Sequence, residues 1–163
     1  MKPNRYMQEA LIEAERAAAL GETPVGAVVV APDGSIAGRG HNLVISVRDP
    51  LGHAEMRAIR QACEAVQSER LPGYDLYVTL EPCTMCAAAI SFARIRRLYF
   101  GAWDEKGGAV ENGVRFFSAG TCHHAPEIYG GIAEAEAAAL LRAFFRERRD
   151  ERAQVNASRT PRD

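Results

Sequence analysis

The sequence lacks three features, and each absence excludes a class of protein. It has no apolar run approaching the roughly 18 residues that a membrane span requires. Its 20 Lys and Arg residues against 21 Asp and Glu leave a net charge of −1. That balance excludes binding to nucleic acid through bulk charge alone but does not exclude a local basic patch. Cysteine is also sparse, with four in 163 residues, and a chain of this length can fold without disulfides or metal.

Composition and the N-terminus predict one domain in the cytoplasm. A content of 47% apolar and 25% charged residues is typical of an ordinary globular protein. Residues 1–5 lead into a charged amphipathic segment rather than the apolar core of a signal peptide. In the cytoplasm, thiols or metal ligands are the expected state of cysteine. We expect a single domain over residues 1–152, a polar, disordered tail over residues 153–163, and no association with a membrane.

Hydrophobic periodicity predicts alternating strands and helices. The predicted helices cover residues 4–20, 52–67, 82–93 and 132–152. The predicted strands cover residues 24–31, 35–42, 75–80, 97–102 and, as a short last strand, 127–131. Strands followed by helices indicate one mixed sheet with helices on its faces, so the fold class is α/β.

Three short motifs contain residues that could bind a metal ion together: His53-Ala54-Glu55, Glu81-Pro82-Cys83 and Cys83-Thr84-Met85-Cys86. Two cysteines three positions apart at a helix start lie on one face, and a helix N-terminus favours the thiolate that metals bind. His53 also begins a predicted helix. One histidine and two cysteines can then hold one Zn²⁺ and leave the fourth tetrahedral position for water, which is typical of a catalytic site.

Glu55 is the candidate base beside this site. Two thiolates cancel the charge of the ion, so a bound water would be acidified less than in a site made of histidines and would need a base. Residues two apart diverge by about 200° around a regular helix. Glu55 can therefore lie beside the metal without being a ligand.

The cysteine motif is also compatible with two plainer interpretations. Cys-x-x-Cys after a strand also describes a thioredoxin-like redox site, but the upstream His-x-Glu and the absence of Gly-Pro between the cysteines favour zinc. A structural zinc site needs four ligands, and three are visible. The stretch Cys122-His123-His124 could supply another, although a histidine pair in a polar loop more often faces solvent.

At these residues the sequence resembles the zinc-dependent nucleoside and nucleobase deaminases, whose pattern is H-x-E…P-C-x-x-C. Further stretches resemble the bacterial tRNA-specific adenosine deaminases over nearly all of residues 5–150. These stretches are residues 24–28, 41–42, 79–86, 101–106 and 144–149. The sequence departs from that family at Leu51-Gly52, where Thr-Ala is usual, and in the loop of residues 107–122.

The resemblance implies a three-layer α/β/α cytidine-deaminase-like fold with a mixed five-stranded sheet. It implies one Zn²⁺ per chain, held by His53, Cys83 and Cys86. The reaction would be hydrolysis of adenosine to inosine at the wobble position of a tRNA anticodon, by zinc-activated water with Glu55 as the proton shuttle.

The resemblance also implies where the RNA binds. Asn42 and Ala54 would line the base pocket, and Asp104 and Lys106 would contact a flanking nucleotide. The partner is a tRNA anticodon loop whose target base flips into the pocket, and the enzyme would be a homodimer.

The last predicted helix is locally basic, with arginines at Arg142, Arg146, Arg148, Arg149 and Arg152. Charge alone favours a solvated helix face, because neighbouring acidic residues offset three of these charges. The adjacent Phe144-Phe145 changes that balance, since aromatic rings stack on unpaired bases while guanidinium groups contact phosphate. Together with the resemblance, this predicts that Phe145, Arg148 and Arg149 contact RNA.

Two other functions remain open at this point. The first is a deaminase of a free base or nucleoside, of the guanine or cytosine type, which would have no use for a basic aromatic helix. The second is a non-catalytic, zinc-stabilised RNA-binding module. Glu55 argues against that module, because a structural site needs no unligated carboxylate beside the metal.

Overall fold

The computed structural model describes residues 4–159, which form alternating strands and helices. Their bounds are α1 Arg5–Ala19, β1 Gly26–Val30, β2 Ile36–His41, α2 Ala54–Val66, β3 Asp75–Leu80, α3 Thr84–Phe92, β4 Arg97–Ala102, a 3₁₀ turn at Phe116–Ser118, β5 Glu127–Tyr129 and α4 Glu134–Arg159. Every predicted helix and strand is present in the predicted order. Among residues 4–159, no helix combines the length and the apolar character that crossing a membrane requires.

The five strands form one mixed sheet in the order β2-β1-β3-β4-β5. Strand β1 is antiparallel to both of its neighbours, whereas β3, β4 and β5 are parallel. It follows that β2 runs in the same direction as β3 and β4, and the carboxyl ends of these strands share one edge of the sheet. Loops at such an edge are where α/β proteins place their ligand sites.

Helices cover both faces of the sheet. Helices α2 and α3 pack on one face, and α1 and α4 pack on the other. Strand β1 is buried between them, with Ala27 and Val29 beneath α2 and α3 and Val28 beneath α1. Burial on both faces explains its continuous apolar run. The expected three-layer α/β/α fold is confirmed.

Two glycines allow helices to approach the sheet closely. A Cβ atom on Gly26 would lie 2.0 Å from the carbonyl oxygen of Ala10 in α1, and one on Gly40 would lie 2.2 Å from that of Ala54 in α2. Any side chain at Gly40 would push the first turn of α2 away from β2. This contact therefore fixes where α2 begins.

Two helix boundaries differ from the predictions. Helix α3 begins at Thr84, and Pro82 precedes it instead of opening it, because Cys83 is an N-cap with an extended ψ of 175°. Helix α4 continues to Arg159, so residues 153–159 are helical where a disordered tail was expected. Once a helix is nucleated, each further residue adds a hydrogen bond, so polar residues can continue it. Residues 1–3 and 160–163, which entered the N-terminal and tail predictions, lie outside the described residues.

Candidate active site

Two helices begin with residues of the predicted metal site. His53 is the N-cap of α2 and Cys83 is the N-cap of α3, and both have extended backbones with ψ angles of 151° and 175°. Within the described part of the chain, neither side chain caps its own helix. Both side chains can therefore contact each other across the gap between the two helix starts.

The donor atoms of His53, Cys83 and Cys86 meet in that gap. The Nδ1 atom of His53 lies 3.6 Å from Cys83 Sγ and 3.5 Å from Cys86 Sγ, and the three ligand atoms all lie within 4.8 Å of one another. Ligands about 2.0–2.3 Å from a tetrahedral zinc ion lie about 3.6 Å apart. The spacing and the chemistry of this donor group fit Zn²⁺.

Hydrogen bonding within the group favours a thiolate. The contact with Cys86 lowers the pKa of the Cys83 thiol to about 4, with burial opposing the change and His53 assisting it. The same contact raises the pKa of the more deeply buried Cys86, and the bond to Cys83 raises the pKa of His53. The thiolate is the form in which cysteine binds a metal.

Glu55 lies beside this group in the first turn of α2, with only 4% of its surface exposed. Burial raises the pKa of its carboxyl group to about 7, and the Cys83 charge adds to that effect. The nearby His53 charge and the Cys86 thiol act in the opposite direction. A carboxyl group that titrates near neutrality can both accept and release a proton under physiological conditions.

Asn42 follows β2 and contacts the start of α2. Its Oδ1 atom accepts a hydrogen bond of 3.0 Å from the backbone N–H of Ala54, which is fully buried. Asn42 thereby satisfies one of the unpaired N–H groups at the helix start. The bond holds the Asn42 amide against Ala54, which directly follows His53 in the sequence. Because Oδ1 faces Ala54, the NH₂ group of the same amide points away from it.

A groove of about 990 Å³ separates α4 from the loop after β4. It is lined by Trp103 and by five of the residues that the sequence predicted to contact RNA: Asp104, Lys106, Phe145, Arg148 and Arg149. Leu80, at the end of β3 and three residues before Cys83, also lines it. The fold therefore places these residues in one groove, which extends to the end of β3.

The side chains of α4 differ in how freely they face this groove. Phe145 is 47% exposed and Arg149 is exposed. Arg148 is half-buried, because its guanidinium group donates to the carbonyl oxygen of Gly21 and lies over the ring of Phe144. Arg148 therefore helps to hold α4 against the end of α1.

Residues 122–124 make contacts within the fold. The Cys122 thiol donates to the carbonyl oxygen of His124 at 3.1 Å, and the His124 Nε2 atom lies 2.7 Å from the carbonyl oxygen of Ile95. Among the described residues, the three-donor group consists of His53, Cys83 and Cys86 without a contribution from this stretch.

Sequence reasoning assigned no role to two residues near the site. Trp103 is 44% exposed and lines the groove. Glu81 belongs to a motif in which only its neighbours were assigned a role. It is 2% exposed, and its carboxylate accepts a hydrogen bond from the loop that carries Asp104. An acidic residue at the end of a buried, apolar strand was the available signal, because such a carboxylate must find hydrogen-bond donors.

A family model agrees with this site. The model of the cytidine and deoxycytidylate deaminase zinc-binding region matches residues 1–102, which include all three donors of the metal group and Glu55. The chain is also similar to proteins of known function. It is 62% identical to the tRNA-specific adenosine deaminase of Agrobacterium fabrum over 144 residues, which are 88% of this chain and 94% of that protein.

Two solved structures resemble the fold. A tRNA:A34 deaminase, studied for A-to-I editing at the wobble position of transfer RNA, shares 61% identity with a TM-score of 0.82, covering 84% of this chain and 99% of that one. The guanine deaminase from Bacillus subtilis shares 36% identity with a TM-score of 0.60, covering 63% of this chain and 66% of that one.

Proposed function

The chain belongs to the cytidine and deoxycytidylate deaminase family and, within it, to the tRNA-specific adenosine deaminases, and we propose that it converts the wobble adenosine of a tRNA anticodon to inosine. The reaction is a hydrolysis in which water replaces the amino group at C6 and ammonia leaves. The observation that carries the proposal is the meeting of His53, Cys83 and Cys86 beside the buried carboxyl group of Glu55.

The metal-binding residues of the proposal are His53, Cys83 and Cys86, which would hold one Zn²⁺ per chain. A zinc ion bound there would supply Lewis-acid activation of the hydrolytic water. The convergence of two helix N-caps explains how the chain can preorganise these donors, since the start of α2 is fixed by its contact with Gly40.

Glu55 moves the protons. Its carboxylate accepts a proton from the attacking water and delivers it to the ring nitrogen. It then accepts the second proton from the hydroxyl group formed at C6 and delivers it to the amino group, which leaves as ammonia. The pKa of about 7 that burial gives this group suits both directions of transfer.

Asn42 and Ala54 form the polar wall of the base pocket. The Ala54 N–H is already bonded to Asn42 Oδ1, so the Asn42 NH₂ group is the donor that remains for an acceptor on the base. We assign the direct contact to Asn42 and give Ala54 the role of orienting it.

The groove holds the RNA while the target base enters the pocket. Phe145 offers an exposed ring for stacking on an unpaired base, and Arg149 offers an exposed charge for phosphate. Asp104 and Lys106 on the opposite wall contact a flanking nucleotide. The tRNA substrate would place the protein in the cytoplasm.

A homodimer is part of the proposal. Phe92, at the end of α3, leaves 70% of its surface exposed, although it is large and apolar. Contact with a second copy would remove that surface from water. Sedimentation of the purified protein tests this part of the proposal independently of activity.

Deamination of a free base is the second candidate, and its support is the structural similarity to the guanine deaminase from Bacillus subtilis. The two are separated by incubating the protein with an anticodon stem-loop carrying A34 and, separately, with free guanine, cytosine and adenosine. We expect inosine at position 34 and release of ammonia from the stem-loop. Efficient turnover of a free base, with none of the stem-loop, would replace the tRNA function with the second candidate.

A further inference from the structure

The carboxylate of Glu81 accepts five hydrogen bonds from one loop that lines the groove. Glu81 lies directly after β3 and two residues before Cys83, and it is 2% exposed. Its Oε1 and Oε2 atoms accept five hydrogen bonds of 2.7–3.2 Å, from the backbone N–H groups of Asp104, Val110, Glu111 and Asn112 and from the Asn112 side chain. All five donors belong to residues 104–112.

The loop is wrapped closely around this carboxylate. A Cβ atom on Gly108 would lie 2.6 Å from the carboxyl carbon of Glu81 and 2.5 Å from the carbonyl oxygen of Asp104. The absence of a side chain at Gly108 is therefore what lets the backbone close over Glu81. A buried carboxylate that satisfies several backbone N–H groups at once fixes the conformation of the segment that carries them.

The bonds to Glu81 also determine how Asp104 presents its side chain. The Asp104 N–H donates to Glu81 Oε2 at 2.9 Å. The Asp104 Oδ1 atom accepts from the backbone N–H groups of Lys106 and Gly107 at 3.1 and 2.9 Å, which fixes the carboxylate in a tight turn. Asp104, Lys106 and Gly107 all line the groove.

The same loop is connected to the start of α3. The N–H of Ala109 donates to the carbonyl oxygen of Pro82 at 2.9 Å, and Pro82 precedes the N-cap Cys83. Glu81 and Pro82 therefore connect the loop that forms one wall of the groove to Cys83, a member of the metal group. A shift of the loop would change the distance between the groove and the pocket.

We propose that Glu81 is a positioning residue that sets the place of Asp104 and Lys106 for RNA binding through its bonds to residues 104–112. This inference rests on the proposed function, because it takes RNA as the ligand of the groove. Glu81 itself is buried and acts through the loop. Glu81 therefore affects the affinity for RNA and does not affect the rate of the proton transfers at Glu55.

The test is a double-mutant cycle on binding of an anticodon stem-loop. Glu81→Gln replaces two accepting oxygens with one and turns an NH₂ group towards N–H donors. We expect Glu81→Gln to raise the Kd about tenfold, Asp104→Ala to raise it comparably, and the double variant to bind no more weakly than the weaker single variant. Zinc content should stay at about one per chain, and the single-turnover rate at saturating RNA should change by less than about threefold.

Asp75→Asn is the matched control. Asp75 is a carboxylate of low exposure at the other end of β3, where it accepts two hydrogen bonds of 2.9 and 2.7 Å from Arg96. Its replacement should lower the melting temperature without changing the Kd for RNA. If Glu81→Gln behaves like this control, its role is only to stabilise the fold and the proposal is wrong.

Asn112→Ala covers the case in which Glu81→Gln does not fold. It removes one donor to Glu81 and keeps the carboxylate, so we expect a smaller rise in Kd that is again not additive with Asp104→Ala. Additive effects in either cycle, or loss of zinc in Glu81→Gln, would overturn the proposal while leaving the tRNA function intact. Failure of the unmodified protein to bind the stem-loop would instead remove the tRNA function and this inference together.

Discussion

The metal pocket and the groove are built in different ways. The pocket consists of buried and half-buried residues at two helix starts, and the three donors and Glu55 each lie within three positions of another member. The groove lies between the loop after β4 and helix α4, which are distant in the sequence. The side chains that line it are largely exposed. A pocket of this kind can supply chemistry that depends on fixed distances, whereas an exposed groove can supply affinity spread over many weak contacts. We therefore expect changes in the pocket to abolish turnover and changes in the groove to weaken RNA binding.

Cys83→Ser should have the largest effect, because it removes one of the three proposed zinc ligands. We expect zinc to fall from about one per chain to near zero and deamination to fall below detection, as measured by metal analysis and inosine formation. Cys122→Ser is the control, since that thiol bonds to His124 within the fold. Loss of zinc in the Cys122 variant would contradict the assigned ligand set.

Glu55→Gln should stop proton transfer while leaving the metal group in place. The amide has nearly the same size but cannot accept the proton, so the single-turnover rate should fall by roughly 10²–10⁴. Zinc content and the Kd for the anticodon stem-loop should remain unchanged. Near-normal turnover would assign the base to another residue, and zinc loss would make Glu55 a ligand.

Phe145→Ala tests the aromatic contribution of the groove. A ring that stacks on an unpaired base contributes roughly 1–3 kcal/mol to binding, and the Kd should rise accordingly. Val66→Ala, a partly exposed apolar residue at the end of α2, is the control that should leave the Kd unchanged. If both variants bind RNA like the unmodified protein, the stacking role is wrong.

Arg149→Ala should give the smallest of these effects and is best read from salt dependence. Loss of one phosphate contact should reduce the slope of log K against log salt by about one unit at most. Arg148→Ala should reduce that slope less and lower the melting temperature more, because Arg148 is bound to Gly21 and stacked on Phe144. The opposite ranking of the two variants would mean that Arg148 releases Gly21 to bind RNA.

Much of the fold and the pocket could be predicted because the signals are local. Apolar periodicity gave the order of the elements, and the spacing of Cys83 and Cys86 placed two thiols at one helix start. The boundary error at Pro82 has a local origin as well. Proline suits the first helical position, but it also suits the extended residue before an N-cap, and periodicity cannot separate these cases.

The groove could not be predicted in the same way, because its contacts join distant parts of the sequence. Arg148 looked like one of five surface arginines until the fold brought it to Gly21, 127 residues away. The bonds of Glu81 reach residues 23 to 31 positions further along, and most of their donors are backbone N–H groups, which carry no sequence signal. Such contacts depend on how the loop after β4 closes over β3.

The division between pocket and groove is tested most directly by one variant, Phe145→Ala combined with Arg149→Ala. Single-turnover deamination of the A34 stem-loop, measured over a range of protein concentrations, gives the Kd and the saturating rate separately. We predict a Kd raised at least as far as in Phe145→Ala alone, with a saturating rate within about twofold of the unmodified protein. An unchanged Kd together with a saturating rate as low as that of Glu55→Gln would contradict the account.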